Sequence, residues 1–501
     1  MRHRQICLAG VVALALPAMA IAEGKPSDIN PLCPDNSSAP LPPNANKPVN
    51  PQTDPAAFDF HNSPYPDFGF MVSQQEYFFC WSDQPIFRLK TDFPNTLPDT
   101  VPDFVGTGEF MDPSTAAEYL EKVKRYSLTG NTPNWNPFEN TEANWYHIPW
   151  LHSSPTAYPP NGGTEGFRGL IKEAPMSPHQ ISAGQDGQDG NYSVYAITLV
   201  NDIAAYTLHE MWKNPEGPDP RVTDARYGGG FKDGAVFAKL LFTDAPRGSD
   251  KGNIPFLENP YSWFGYITPT FDPVGDGPVT REVHQVNLLQ MDIMVRDSTA
   301  PVTNWVLGTF AYNGQADVKG APAPADRSDA EKLHHNLIPV GLMWGNDPQD
   351  TTNTTTPFPP TKTVINPDLK ETIITDSANL PAQHLGWNGR LNGPADLNTT
   401  SCLACHIMAQ YPALTSLVPP GSVPDGGPNP PDIKDMDEWM FWFQNIPAAT
   451  SSNASAYSTD FSFQVAISLT NFYAAKDAAE FGHRADEYLV APVPIGRGVS
   501  D

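Results

Sequence analysis

A chain of 501 residues with 40% hydrophobic residues can bury a sizeable core, as one large domain or two to three ordinary ones. Its formal charge of −26 repels nucleic acid and anionic lipid, and equally suits the plain solubility of an exported protein. With 55 prolines it carries about twice the usual share, so regular structure is expected in blocks separated by Pro-rich breaks.

The first block reads as a secretory leader over residues 1–22. Arg2, His3 and Arg4 precede a mostly apolar stretch from Ile6 to Ile21, and Ala20-Ile21-Ala22 supplies the small-residue cleavage pattern. Cys7 lies inside the apolar stretch rather than after it, which argues against a lipid-modified start. No later stretch is long and apolar enough to span a bilayer, so the expected location is periplasmic or secreted. Cleavage would leave Cys33, Cys80, Cys402 and Cys405. Cys33 and Cys80 are natural disulfide partners in an oxidising compartment, and closing that loop would stabilise the fold by roughly 4 kcal/mol.

Residues 23–160 read as a Pro-rich N-terminal region, with "NWYHIPWLHSS" (144–154) as core and loop packing, or as a pocket lining through His147 and His152. Residues 161–345 read as a β-rich core domain. Strands are expected at "NYSVYAITLVN" (191–201), "GAVFAKLLFT" (234–243), "VNLLQMDIMVRDS" (286–298), "NWVLGTFAYNG" (304–314) and "NLIPVGLMWGN" (336–346). In the third, Leu289, Met291, Ile293 and Val295 alternate with Gln290, Asp292, Met294 and Arg296, which predicts one buried face. The short connection to the fourth predicts an antiparallel neighbour. "NDIAAYTLHEMWKNP" (201–215) predicts a helix capped by Asn201 or Asp202 and ended by Pro215. Residues 346–382 read as an insertion or linker. Residues 383–501 hold late helical pieces at "DEWMFWFQNIPA" and "DFSFQVAISLTNFYAAKDAAEF", packing on the core. The fold class is α+β, an antiparallel sheet flanked by a few helices, with long Pro-rich loops.

The chemistry-bearing motif is "TTSCLACHIMAQYP" (399–412), in a loop entering a short helix. Cys402, Cys405 and His406 stand as Cys-x-x-Cys-His, two thiols spaced to add across the vinyl groups of one porphyrin and an imidazole placed to reach its iron. One covalent haem c, with His406 as the metal ligand, is the expectation. A thioredoxin-like pair would want a buried strand before the first cysteine, a zinc site would want further close ligands, and a disulfide three residues apart would be strained. For a sixth iron ligand the candidates are Met436, Met440 and His384, each of which is equally well a packing or hydrogen-bonding residue.

Four stretches, "YAITLVNDIAAYTLHEMWKNP", "GGGFKDGAVFAKLLFT", "VRDSTAPVTNWVLGTFAYNG" and "ADLNTTSCLACHIMAQYP", follow one another over about the middle half of the chain. Their order resembles the P-four-sixty cytochrome family, mono-haem c-type proteins that oxidise hydroxylamine, and their relatives the beta-type cytochromes c prime. The resemblance implies that Lys239, in "FKDGAVFAK", bonds to the porphyrin edge beside an open distal site. Read alone, Lys239 is as well a lysine whose stem packs while its amine reaches water, whereas facing a haem it would be neutralised by burial. Asp396 is the candidate proton-accepting carboxylate, or a turn cap. Arg390 is the candidate partner of a haem propionate, or a surface arginine. Here Leu240 follows Lys239 where the family pattern leads one to expect an acid, and the chain is far longer than the compact members.

Together these features predict an exported mono-haem cytochrome for electron transfer, or for oxidising or binding a small nitrogen species such as hydroxylamine or NO. An exported binding or structural module, in which haem mainly stabilises the scaffold, is the alternative. The expected partner is a redox protein or small-molecule electron donor, with a homodimer left open.

Overall fold

The computed structural model describes residues 89–151, 165, 168–181, 190–214, 217–245, 254–267, 282–346, 371–373, 380, 384–417 and 436–481. The leader, Cys33, Cys80, His152 and most of the Pro-rich breaks lie outside the described residues.

Among the described residues nine strands form one antiparallel sheet: β1 (Trp145–Tyr146), β2 (Ile171–Lys172), β3 (Val194–Asn201), β4 (Val236–Thr243), β5 (Ser262–Ile267), β6 (Glu282–Arg296), β7 (Trp305–Tyr312), β8 (Leu337–Met343) and β9 (Glu371–Ile373). The order is β1-β3-β4-β6-β7-β8-β9, with β2 also paired to β3 and β5 to β6. All five strand expectations hold, and β7 is the antiparallel neighbour of β6. Pro339 sits inside β8 opposite Phe310 of β7, next to the register shift between Thr309 and Phe310, an irregularity of the kind that accommodates a missing N–H, and β9 pairs only with Gly341–Met343. β10 (Gln410–Tyr411) and β11 (Tyr457–Ser458) form a separate two-stranded ribbon.

The sheet is the middle layer. On one face α1 (Ala116–Leu128) packs Tyr119, Leu120 and Val123 on Ala238, Leu240, Met291 and Ile293. On the other, α2 (Asp202–Trp212) and three C-terminal helices, α4 (Cys402–His406), α5 (Met436–Met440) and α6 (Phe463–Phe481), pack on Val200, Phe237, Met294 and Leu307. A further short helix, α3 (Asp329–His335), leads into β8 and starts with a capping box between Ser328 and Glu331. Asn201 caps α2 as expected, its side chain accepting from Ala204 N–H.

Two expectations change. Residues 89–151 do not stand apart as a Pro-rich region: Phe104, Phe110, Tyr119 and Trp145 belong to the same core as the sheet, because α1 covers a face that would otherwise be wet. In β6 both faces are buried. Gln290 is fully buried and Met294 nearly so, because helices cover that side too.

Candidate functional site

The segment before α4 is knitted backward on itself. Gly386 N–H donates to Arg390 O at 2.8 Å, Trp387 N–H to Thr400 O at 2.8 Å, and Cys402 N–H to Leu391 O at 3.0 Å. Only glycine suits position 386, where a Cβ would lie 2.0 Å from the Thr400 carbonyl oxygen. Ser401 caps α4 by accepting from Ala404 N–H at 3.1 Å. One helical turn then carries Cys402, Cys405 and His406 to the wall of a single cavity.

His406 is held by its ring. Nδ1–H donates to the Phe461 carbonyl at 2.7 Å, which leaves the Nε2 lone pair for a ligand. Burial pushes the imidazole down to about 4, so it is neutral at ordinary pH. The Phe461 carbonyl is aimed by Asp460. One oxygen of Asp460 accepts from Trp305 Nε1–H at 2.9 Å and Ala449 N–H at 2.8 Å, the other from Phe231 N–H at 2.8 Å. Asp460 and Phe461 both have left-handed backbones, φ 49 and 66, held by this anchorage. Burial pushes the Cys405 thiol up to about 12, so it is protonated, and it does not behave as the thiolate of a redox pair. Both motif cysteines are thiols, and no disulfide occurs among the described residues.

The cavity encloses about 1390 Å³ of space, its mouth included. Its floor is the sheet face opposite α1, and its roof includes α4 with Phe463 and Ile467 of α6. Across the floor runs a polar row set by strand register. Thr198 pairs with Lys239, Lys239 with Asp292, and Asp292 with Thr309, one residue from each of β3, β4, β6 and β7. Lys239 Nζ lies 2.9 Å from Glu173 Oε1. Glu173 is brought there by its own N–H, which donates to Val194 O at 2.7 Å. Asp292 accepts from Thr309 Oγ1 at 2.5 Å and from Gln290 Nε2, which also reaches Asp396 Oδ2 at 2.7 Å.

The sequence-derived candidates Lys239, Asp396, Cys402, Cys405 and His406 therefore meet in one cavity. Its lining also includes Glu173, Asp292 and Thr198, which sequence reasoning passed over. The signal was present: four largely apolar strands carry Thr198, Lys239, Asp292 and Thr309 near their middles, in "VYAITLV", "VFAKLLF", "QMDIMV" and "VLGTFAY", with Gln290 two residues before Asp292.

Burial pulls Lys239 down, but Glu173, Asp292 and Asp396 outweigh it and the net shift is upward, so the amine is charged. Burial pushes Asp292 up to about 7, helped by the charge of Asp396, and pushes Asp396 up as well.

Arg390 is not among the lining residues. It is fully buried, its guanidinium 4.5 Å from the Trp387 ring centroid and 4.7 Å from that of Phe443, where it braces the segment leading to α4. Neither Met440 nor His384 lines the cavity, and the Met436 side chain lies outside what the structure describes. Met440 packs beside Trp439 and Trp442 in the core, and His384 is buried. The lining methionine is Met294 of β6. His147 belongs to packing, its Nδ1 accepting from Lys90 N–H at 2.9 Å.

Among the described residues no three His, Cys, Asp or Glu side chains converge as a metal-ligand set. No described helix is long and apolar enough to cross a membrane. What the site does offer is two free cysteines one turn apart and a neutral imidazole with its Nε2 lone pair available, on the wall of a large cavity with many aliphatic and aromatic linings. That donor set could hold a covalently attached haem. No family model matches the chain, and neither a curated protein nor a solved structure matches it.

Proposed function

We propose that the chain is a mono-haem c-type cytochrome, with Cys402 and Cys405 as thioether anchors and His406 as the proximal ligand, and that it performs redox chemistry on a small molecule. The carrying observation is the convergence of Lys239 and Asp396, named from the family resemblance, on the cavity walled by the Cys-x-x-Cys-His turn. The haem would supply the electron-accepting centre, and the chain's residues would tune access and protons. The Phe461 carbonyl fixes the His406 tautomer and ring plane. Glu173 holds the Lys239 amine in place and is the carboxylate positioned to accept a proton from it. Asp396 and Asp292 are the carboxylates placed to receive protons from a substrate. A P-four-sixty-like oxidation of hydroxylamine, or binding of NO, is the reading this arrangement supports best, with export through the leader at 1–22 and a redox protein as electron partner.

One observation favours a second reading. Met294 shares the cavity with His406 and could complete a six-coordinate iron, making the protein an electron carrier. Optical spectra of protein purified from a host that matures c-type haem separate the two. A broad, red-shifted, high-spin Soret band that Lys239→Met converts to an ordinary one supports the cross-linked open site. A sharp low-spin spectrum that Met294→Leu abolishes supports the carrier. Absence of covalent haem refutes both and leaves a binding module.

A further inference from the structure

Asp292 and Asp396 come from distant parts of the chain, β6 and the loop before α4, yet they hang on one nitrogen. Gln290 Nε2 lies 2.8 and 3.0 Å from the two oxygens of Asp292 and 2.7 Å from Asp396 Oδ2. Its orientation is locked from the other side, where Gln290 Oε1 accepts from Ala395 N–H at 2.9 Å. Glycine at 393 allows the approach, since a Cβ there would lie 2.1 Å from the Gln290 amide. Asp396 also accepts from Gly393 N–H at 3.1 Å, and Asp292 from Thr309 Oγ1 at 2.5 Å.

The charges facing this pair do not balance it. Lys239 on β4 is the cation, and its Nζ is engaged by Glu173 at 2.9 Å. His406 on α4 is neutral, and Thr309 on β7 contributes only a hydroxyl. Three carboxyl groups thus surround one ammonium group on the cavity wall, each partly exposed, an arrangement in which two neighbouring carboxylates resist full ionisation.

We propose that Asp292 and Asp396 share a single proton and form the proton store of the cavity, taking up one proton when an electron enters the cavity and releasing it when the electron leaves. The second half rests on the haem reading above. In balance, one electron from a small-molecule reductant and one proton from solvent enter together, and both leave on reoxidation. Glu173, whose side chain is 29% exposed, marks the side from which solvent reaches the cluster. The upward shifts of Asp292 and Asp396 agree with a shared proton.

The first measurement uses the full chain without haem: infrared absorption of protonated carboxyl groups across neutral pH. The expected result is a carboxyl band that titrates near neutrality, disappears in Asp292→Asn, and titrates at least tenfold higher proton concentration in Asp396→Asn, because the repelling charge is gone. Asp244→Asn, at a separate raised carboxyl, should leave that band in place. Bands identical in wild type, Asp292→Asn and Asp396→Asn overturn the shared proton. The second measurement is the midpoint potential of the haem-loaded protein against pH. It should fall by about 59 mV per pH unit near neutrality, the equivalent of a tenfold change for one electron, and go flat in Asp292→Asn. A flat potential in haem-loaded wild type overturns the coupling, whereas a chain that takes no haem overturns the reading beneath it and leaves the infrared band to decide the shared proton.

Discussion

Asp460→Ala should be among the most damaging single substitutions in the chain. Its carboxylate accepts from three buried donors, Trp305 Nε1–H, Ala449 N–H and Phe231 N–H, and Arg296 Nε stands 3.8 Å away. Alanine leaves all three donors without an acceptor. At about 1–3 kcal/mol for each orphaned buried group, with partial relief from water entering the gap, the loss is about 3–6 kcal/mol. Domains are commonly stable by about 5–15 kcal/mol, so this is a large fraction of the whole. Asp460→Asn should cost only about 1–2 kcal/mol, because its amide oxygen can serve Trp305 and Ala449 and only the Phe231 donor is lost. Urea unfolding at neutral pH, with both variants compared to wild type at equal slope, measures the difference. Equal losses for the two variants, or a loss below about 1 kcal/mol for alanine, would refute the view that this carboxylate organises the turn carrying the Phe461 carbonyl.

Gly393→Ala places a Cβ against the Gln290 amide, and should destabilise the chain by about 1–3 kcal/mol and free Asp396 from its partner, seen as a lower melting temperature and a changed carboxyl titration. Asp244 is pushed up to about 7 by burial, although Ser193 N–H donates to it at 2.8 Å. A raised folded-state pKa means the native chain binds the extra proton, so its contribution is intact below about pH 4 and is lost as pH rises through about 7. Asp244→Asn should therefore raise the melting temperature at pH 8 and leave it unchanged at pH 4; an equal gain at both would contradict the assignment. Gly386→Ala would drive a Cβ into the Thr400 carbonyl and misplace α4, so covalent haem content after maturation should fall sharply while His406→Met, which leaves both thiols, should retain attachment with an altered spectrum.

Much of the secondary structure was legible locally. Runs of β-branched and aromatic residues marked β3, β4, β6, β7 and β8, and Asn201 before an apolar-periodic stretch marked α2. The Cys-x-x-Cys-His turn was legible because its chemistry requires neighbours in sequence, one helical turn long. Lys239 and Asp396 could be named from the resemblance, but nothing local said that they face one another. Arg390 read as a surface or cofactor-binding arginine because sequence does not report the Trp387 and Phe443 rings that enclose it.

Strand identity and the Cys-x-x-Cys-His spacing are thus properties of short stretches, set by side-chain period and by spacing along the backbone. The polar row from Thr198 to Thr309 is a property of register, since a slip of one residue in β4 would turn Lys239 to the α1 face and place Ala238 or Leu240 in the cavity. Glu173 and Asp396 join that row only through long-range contacts, the hydrogen bond to Val194 and the close approach at Gly393. The Cys-x-x-Cys-His turn on the cavity wall could be read from the chain. Which wall residues share protons was decided by tertiary packing, because those couplings act over a few ångströms between groups more than a hundred residues apart.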